Sequence, residues 1–313
     1  MEKNKKNVGE ILQDYGAFIA LGALVIGIGL VSPEFRTGSN FLSLLRQSSI
    51  NGLIAFGMTG VILTGGIDLS VGSTLAISTA VCASMIANGI PAAIAMLAAL
   101  VLGTLLGAVS GFLITKGRLQ PFIATLITMS VYRGATMIYT DGKPISGLGD
   151  HFVLKFIGKG NIAAIPFPAI LLLIVFAIFF FVLNKTTFGR KVYAVGSNAK
   201  CAQLVGVNIN KTKLIIYSVS GLMASLSGLI LLSRLNSAQP TLGTGYEMDA
   251  IAATALGGTS MSGGRGRITG TLVGVLIIAV LNNGLNILGV SSYYQDVIKG
   301  IVILVAVLSD RKR

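Results

Sequence analysis

The chain has 313 residues, 53% of them hydrophobic and 11% charged, with 40 glycines and a mean hydropathy of +0.82. A soluble domain carries roughly 25% charge, so the composition excludes a water-soluble globular protein and predicts an all-α polytopic membrane protein. The formal charge of +13 would suit a nucleic-acid binder, but the basic residues are not interleaved with aromatics and no nucleic-acid partner is expected.

The basic start, MEKNKKNVGEILQDYG, leads into an apolar run with no small-residue cleavage site after it. That run, 15–32, is predicted as a retained membrane helix and not a signal peptide. Further apolar runs, judged against the ~20 residues that cross ~30 Å of hydrocarbon, are predicted at 48–65, 70–88, 91–115, 121–140, 166–184, 212–233, 247–259, 268–288 and 293–309. The expectation is about ten transmembrane helices, some discontinuous, in one domain covering 1–313. With the N-terminus inside, sixteen of the 24 Lys and Arg residues fall in inner loops or termini and six outside, leaving Arg133 and Lys299 within spans. Excess positive charge marks the cytoplasmic side, so both termini are expected in the cytoplasm. Cys82 and Cys201 are too far apart, in too different settings, for a disulfide framework or a metal site.

Polar residues inside these runs are the candidates for function. Asn51, Thr59 and Thr64 lie on the second span. The stretch LTGGIDLSVG, 63–72, then sets a carboxylate, Asp68, between a glycine pair and a serine. Two readings stand for it: Asp68 or Ser70 caps the following helix, or the acid faces a solute path, as ionisable groups at membrane depth commonly do. Arg133 calls for a carboxylate or backbone carbonyls from another helix. His151 stands alone in a polar loop and reads as solvated.

The segment 184–213 is too polar to span. Ala199, Ala202 and Val205 recur at helical spacing, Asn198 suits an N-cap and Gly206 suits a helix end. A short amphipathic helix is therefore predicted there, resting on the membrane or docked to a partner. Glu247 and Asp249 open the eighth span, where they would cap it or receive basic groups of a docking protein. GGTSMSGG, 257–264, repeats the spacing Gly-Gly-x-x-x-Ser-x-Gly of 65–72, either as a related break in a second half of a repeated architecture or by coincidence in a glycine-rich chain. GGRGR, 263–267, reads as a positive-inside anchor or as a second contact for a cytoplasmic partner. In LNNGLN, Asn286 shares a helix flank with Asn282 and with Asn283. Amides both donate and accept, as neutral polyols require.

The stretches GLIAFGMTGVILTGGIDLSVGS, PFIATLITMSVYRG and RLNSAQPTLGTGYEMDAIAATALGG, with LNNGLNILGVSSYYQ, resemble the ribose-type permease subunits of bacterial ABC importers over nearly the whole chain. The resemblance implies a type II-like importer permease, homodimeric in the bacterial cytoplasmic membrane and passing a monosaccharide. A cytoplasmic ATP-binding subunit using ATP and Mg, and an extracytoplasmic sugar-binding protein, would serve it; the chain itself would be no enzyme and hold no cofactor or metal. It also implies a coupling segment at 188–208 within 184–213, with Phe188, Gly189, Arg190, Lys191, Asn198, Lys200 and Gly206 as candidate contacts for the ATPase. Where such permeases commonly read Gly-Asn-Glu-Ala-Ala, this chain reads SNAKC, with Ala199 at the acidic position. The path candidates are Asn51, Thr59, Thr64, Asp68, Asn282, Asn283 and Asn286. No G-x-x-x-x-G-K-[ST] phosphate cradle occurs in the chain, so a pump would need energy from another subunit. The alternatives are an ATP-independent secondary transporter or channel, for which intramembrane acids are sparse, and an intramembrane protease, for which one His and two separated Cys leave no metal ligands.

Overall fold

The computed structural model of the chain describes residues 8–310; the basic ends, 1–7 and 311–313, whose cytoplasmic placement the charge pattern predicts, lie outside the described residues. Among the described residues are helices α1 (Val8–Val31), α2 (Gly38–Leu63), α3 (Val71–Ala87), α4 (Ala92–Thr115), α5 (Pro121–Thr140), α6 (Phe152–Lys159), α7 (Phe167–Lys185), α8 (Thr187–Ser197), α9 (Ala199–Leu204), α10 (Ile209–Leu235), α11 (Tyr246–Leu256), α12 (Ile268–Ile287) and α13 (Ser292–Asp310). Ten of these stand on the predicted apolar runs and α9 on the predicted short helix; α6 and α8 are additions. By length and composition α4, α7, α10 and α12 are each able to cross a membrane. This is an all-helical, multi-pass membrane fold. Two antiparallel pairs of two-residue strands, β1 (Ile145–Ser146) with β4 (Ser237–Ala238) and β2 (Asn161–Ile162) with β3 (Ile165–Pro166), tie loops together.

Local chemistry sets the helix ends. Thr37 accepts the Asn40 N–H and starts α2 ten residues before the apolar run does. Asn208 accepts the Lys211 N–H and starts α10. α11 has 11 residues, which at ~1.5 Å each rise about 16 Å. That is half of the ~30 Å of hydrocarbon, so α11 cannot cross alone.

α10 is the central post, packed on α4, α2 and α3. Its contact with α4 depends on small residues. A Cβ on Gly107 would lie 2.2 Å from the Tyr217 carbonyl oxygen, and one on Gly221 would lie 2.1 Å from that of Gly103. Small residues at four-residue spacing let helices approach at backbone distance where lipid supplies no hydrophobic drive between them. The opposite face of α4 exposes Leu97, Val101, Leu105 and Phe112. An apolar surface of that extent belongs in lipid, not water. Phe56 of α2 meets Phe176 and Phe179 of α7 with ring centroids 5.9 and 6.0 Å apart.

The helices place the loops at two ends. Asn40, early in α2, exchanges amide hydrogen bonds of 3.0 and 2.8 Å with Asn283, late in α12. Leu63, the last residue of α2, accepts the Gly264 N–H just before α12 at 3.0 Å. The two helices therefore run antiparallel, and one end of the bundle carries 64–70, α8, α9 and 257–267. At the other end the Arg46 guanidinium donates to Asn161, and Arg133 donates to the carbonyls of Pro240 and Leu242. Backbone carbonyls are thus the partners that Arg133 called for.

Candidate translocation path and coupling segment

Asp68 lies in the break between α2 and α3 and is fully buried. Its Oδ1 accepts the Ser70 N–H at 3.0 Å and the Ser70 hydroxyl at 2.6 Å; its Oδ2 accepts the Ser220 hydroxyl of α10 at 2.8 Å. Ser70 leads on to Ser110 of α4 and Thr128 of α5 at 3.5 and 3.1 Å. The hydrogen bond to its own i+2 amide is a local Asx turn; the N-cap of α3 is Ser70, whose hydroxyl goes to Asp68 and makes no cap bond. The tie to α10 was not legible, because nothing in the sequence pairs residue 68 with residue 220. Thr64 ends α2, its hydroxyl donating to the Val61 carbonyl.

A second line of polar groups follows the seam of α2, α11 and α12. Asn51 and Thr59, eight residues apart, share a face of α2; Thr271 and Asn282, eleven apart, share a face of α12. Thr59 hydrogen-bonds Thr271 at 2.8 Å and reaches Thr254 of α11 at 3.5 Å. Toward the other end, the side-chain amides of Asn51 and Asn282 both donate to Asp249 Oδ2 at 3.4 Å. Lys299 of α13 completes the cluster, its Nζ 3.3 Å from Asp249 Oδ1. Asp249 therefore does not cap α11; Glu247 does, accepting the Gly245 N–H at 3.2 Å. Asn283 is held by Asn40, and Asn286 accepts from Gln295 of α13 at 2.8 Å. Asn282 and Asn286 thus face different partners. Asp68 and Asp249 belong to clusters that share no hydrogen bond among the described residues.

The 184–213 segment folds as two helices. Thr186 caps α8 through the Gly189 N–H, and Asn198 caps α9 through the Cys201 N–H at 3.0 Å. Gly206, at φ +83°, follows the end of α9. Gly189 is buried where α8 turns back on α7, a Cβ there meeting the Leu183 carbonyl at 2.2 Å. Phe188 packs on the core, while Arg190, Lys191, Asn198, Lys200, Leu204 and Val205 are exposed. Tyr193 donates to the Gly266 carbonyl at 3.0 Å; burial raises its phenol pKa, and nearby Arg267 offsets only part of that rise.

The two glycine-rich breaks meet each other beside α8. A Cβ on Gly263 would sit 2.9 Å from the Gly65 backbone, and one on Gly196 would sit 1.8 Å from the Leu63 carbonyl oxygen and 2.6 Å from the Gly264 nitrogen. The contact joins non-equivalent positions of the shared pattern, so 65–72 and 257–264 are neighbours in space and not only alike in spacing.

The family model described as "branched-chain amino acid transport system / permease component" matches residues 40–307. The chain belongs to this permease family. The permease is 55% identical to the ribose import permease protein RbsC of Bacillus subtilis, over 100% of this chain and 97% of that protein. It is 51% identical to RbsC of Escherichia coli K12 over 96% of this chain and 95% of that protein. The D-allose transport system permease protein AlsC of the same organism is 40% identical over 99% and 95%. No solved structure gives a significant match.

Proposed function

We propose that this permease is the membrane-spanning subunit of an ATP-driven importer that admits D-ribose through the bacterial cytoplasmic membrane. The observation that carries the reading is the 51–55% identity, over essentially the full chain, to proteins named for ribose import. The α2–α11–α12 seam supports it chemically: amides and hydroxyls both donate and accept, as a neutral polyol demands. In this reading Asn51, Thr59 and Asn282 line the path, with Thr64 and Asp68 toward the α8 end and Asn283 and Asn286 toward the other.

The α8 end is then cytoplasmic, with both termini on that side and about ten spans in a type II-like arrangement. Two copies form the channel. Arg190, Lys191, Asn198 and Lys200 present a polar, basic surface to the cytoplasmic ATPase, which uses ATP and Mg, while an extracytoplasmic binding protein delivers the sugar. A second reading, an ATP-independent carrier or channel, draws on the pair of buried Asp249 and half-buried Lys299. Uptake of radiolabelled ribose into proteoliposomes, with permease, ATPase and binding protein omitted in turn, separates them. The importer needs all three and ATP; uptake by the permease alone overturns it in favour of the carrier.

A further inference from the structure

Asp249 sits where four helices converge, and its surroundings are under-committed. Both amide donors reach Oδ2 only at 3.4 Å, at the long limit for such a bond. Asn282 is 5% exposed, and its Oδ1 is buried without a hydrogen-bond partner among the described residues. Turning the amide over would not help, because it would set an oxygen against the carboxylate. A buried acceptor left open in this way calls for an explanation, such as a group that visits it.

The ammonium group that covers the acid has a second place to go. Lys299 lies 3.3 Å from Asp249 and 3.9 Å from Asp296, one turn earlier on α13. Asp249 has 7% of its side chain exposed and Asp296 has 77%. A lysine is a compact charge on a flexible four-carbon stem, so one rotamer change exchanges a buried carboxylate for a solvated one without leaving the ammonium unpaired.

We propose that Asp249, Asn282 and Asn51 form a site for adjacent hydroxyls of a neutral sugar, and that Lys299 is the displaceable cation that closes it. When Lys299 moves to Asp296, two sugar hydroxyls donate to the Asp249 carboxylate, a third donates to Asn282 Oδ1, and the amide nitrogens donate to sugar oxygens. When the sugar leaves, Lys299 returns. The site rests on the importer reading above and adds to it two charged groups, Asp249 and Lys299.

The decisive variant removes both charges. Removing Lys299 alone leaves the buried Asp249 charge uncompensated, whereas removing both charges avoids that penalty. Asp249→Asn, Lys299→Gln and the double variant are reconstituted with ATPase and binding protein, and radiolabelled D-ribose uptake is read beside the thermal midpoint of the solubilised permease. The expected result is a tenfold or greater loss of uptake in the double variant, with its midpoint near that of the wild type. A smaller loss in the double variant shows that the pair only holds helices together and overturns the site. Should the double variant not assemble, Asn282→Leu, which removes the open oxygen and no charge, decides by the same tenfold criterion. Failure of the wild-type system to take up ribose overturns the importer reading itself. Wild-type uptake with an active double variant overturns the site alone.

Discussion

Single side chains divide into those that hold the bundle and those proposed to line its path. Ser220→Ala removes one of three donors to the buried Asp68 carboxylate. Leaving a buried acceptor without its donor costs about 1–3 kcal/mol, above the ~0.6 kcal/mol average for interhelical bonds in a membrane protein. The thermal midpoint of the solubilised permease should therefore fall by several degrees, and an unchanged midpoint would show that Asp68 does not depend on α10. Asn286→Leu should behave in the opposite way. Gln295 keeps its 2.8 Å bond to the Val290 carbonyl, so the midpoint should hold while ribose uptake drops several-fold at equal protein level. Equal uptake would leave Asn286 with a packing role only. The polar residues themselves were legible in the sequence, since each interrupts an apolar run. Their partners were not: Asp249 read as a cap or a docking contact because it opens the eighth span, and the lysine it meets is fifty residues further on. One signal was available, because a lone Lys299 inside a span requires a counter-charge and few acids lie near the spans.

At the scale of elements, the glycine seam of α4 and α10 sets which faces meet. Gly107→Ala forces a Cβ to within 2.2 Å of the Tyr217 carbonyl, and overpacking of that kind costs about 1–3 kcal/mol. Gly134→Ala on α5, with nothing within 4 Å of the added carbon, is the control. A lowered midpoint for the first and not the second is expected, and equal midpoints would count against the seam. α8 and α9 carry the exposed charges, so reversing Lys191 and Lys200 to Glu should weaken co-purification with the ATPase at least tenfold and leave membrane insertion intact. Unchanged co-purification would remove the coupling assignment. The apolar helices were legible because twenty consecutive hydrophobic residues have few other uses. α8 was missed although Phe188, Val192 and Val195 stand at helical spacing, because it follows α7 with only Thr186 between them; its order comes from the Thr186 cap and from burial of Val192 and Val195 against the bundle. α6 has only eight residues, too few for a periodic pattern to stand out.

For the whole molecule, composition alone led to the all-helical membrane fold, because 11% charge cannot solvate a chain of this size. Neighbour relations were beyond it, since they follow from helix rotation set by backbone-to-backbone contacts, and glycine content does not say which glycines meet. Sidedness has a direct test in the two cysteines. Cys82 is buried and Cys201 exposed, so a membrane-impermeant maleimide should label Cys201 alone, and only from the cytoplasmic face. Labelling in intact cells would invert the topology.

The joint between α8 and the two breaks has a mechanical consequence. Side chains absorb small displacements by changing rotamer, but at Gly196, Leu63 and Gly264 main chain rests on main chain, and close-packed interiors transmit strain. Such a joint has almost no backlash. A shift of α8 by a fraction of an ångström reaches the foot of α2 and the approach to α12 together, as a rigid lever moves two hinges at once.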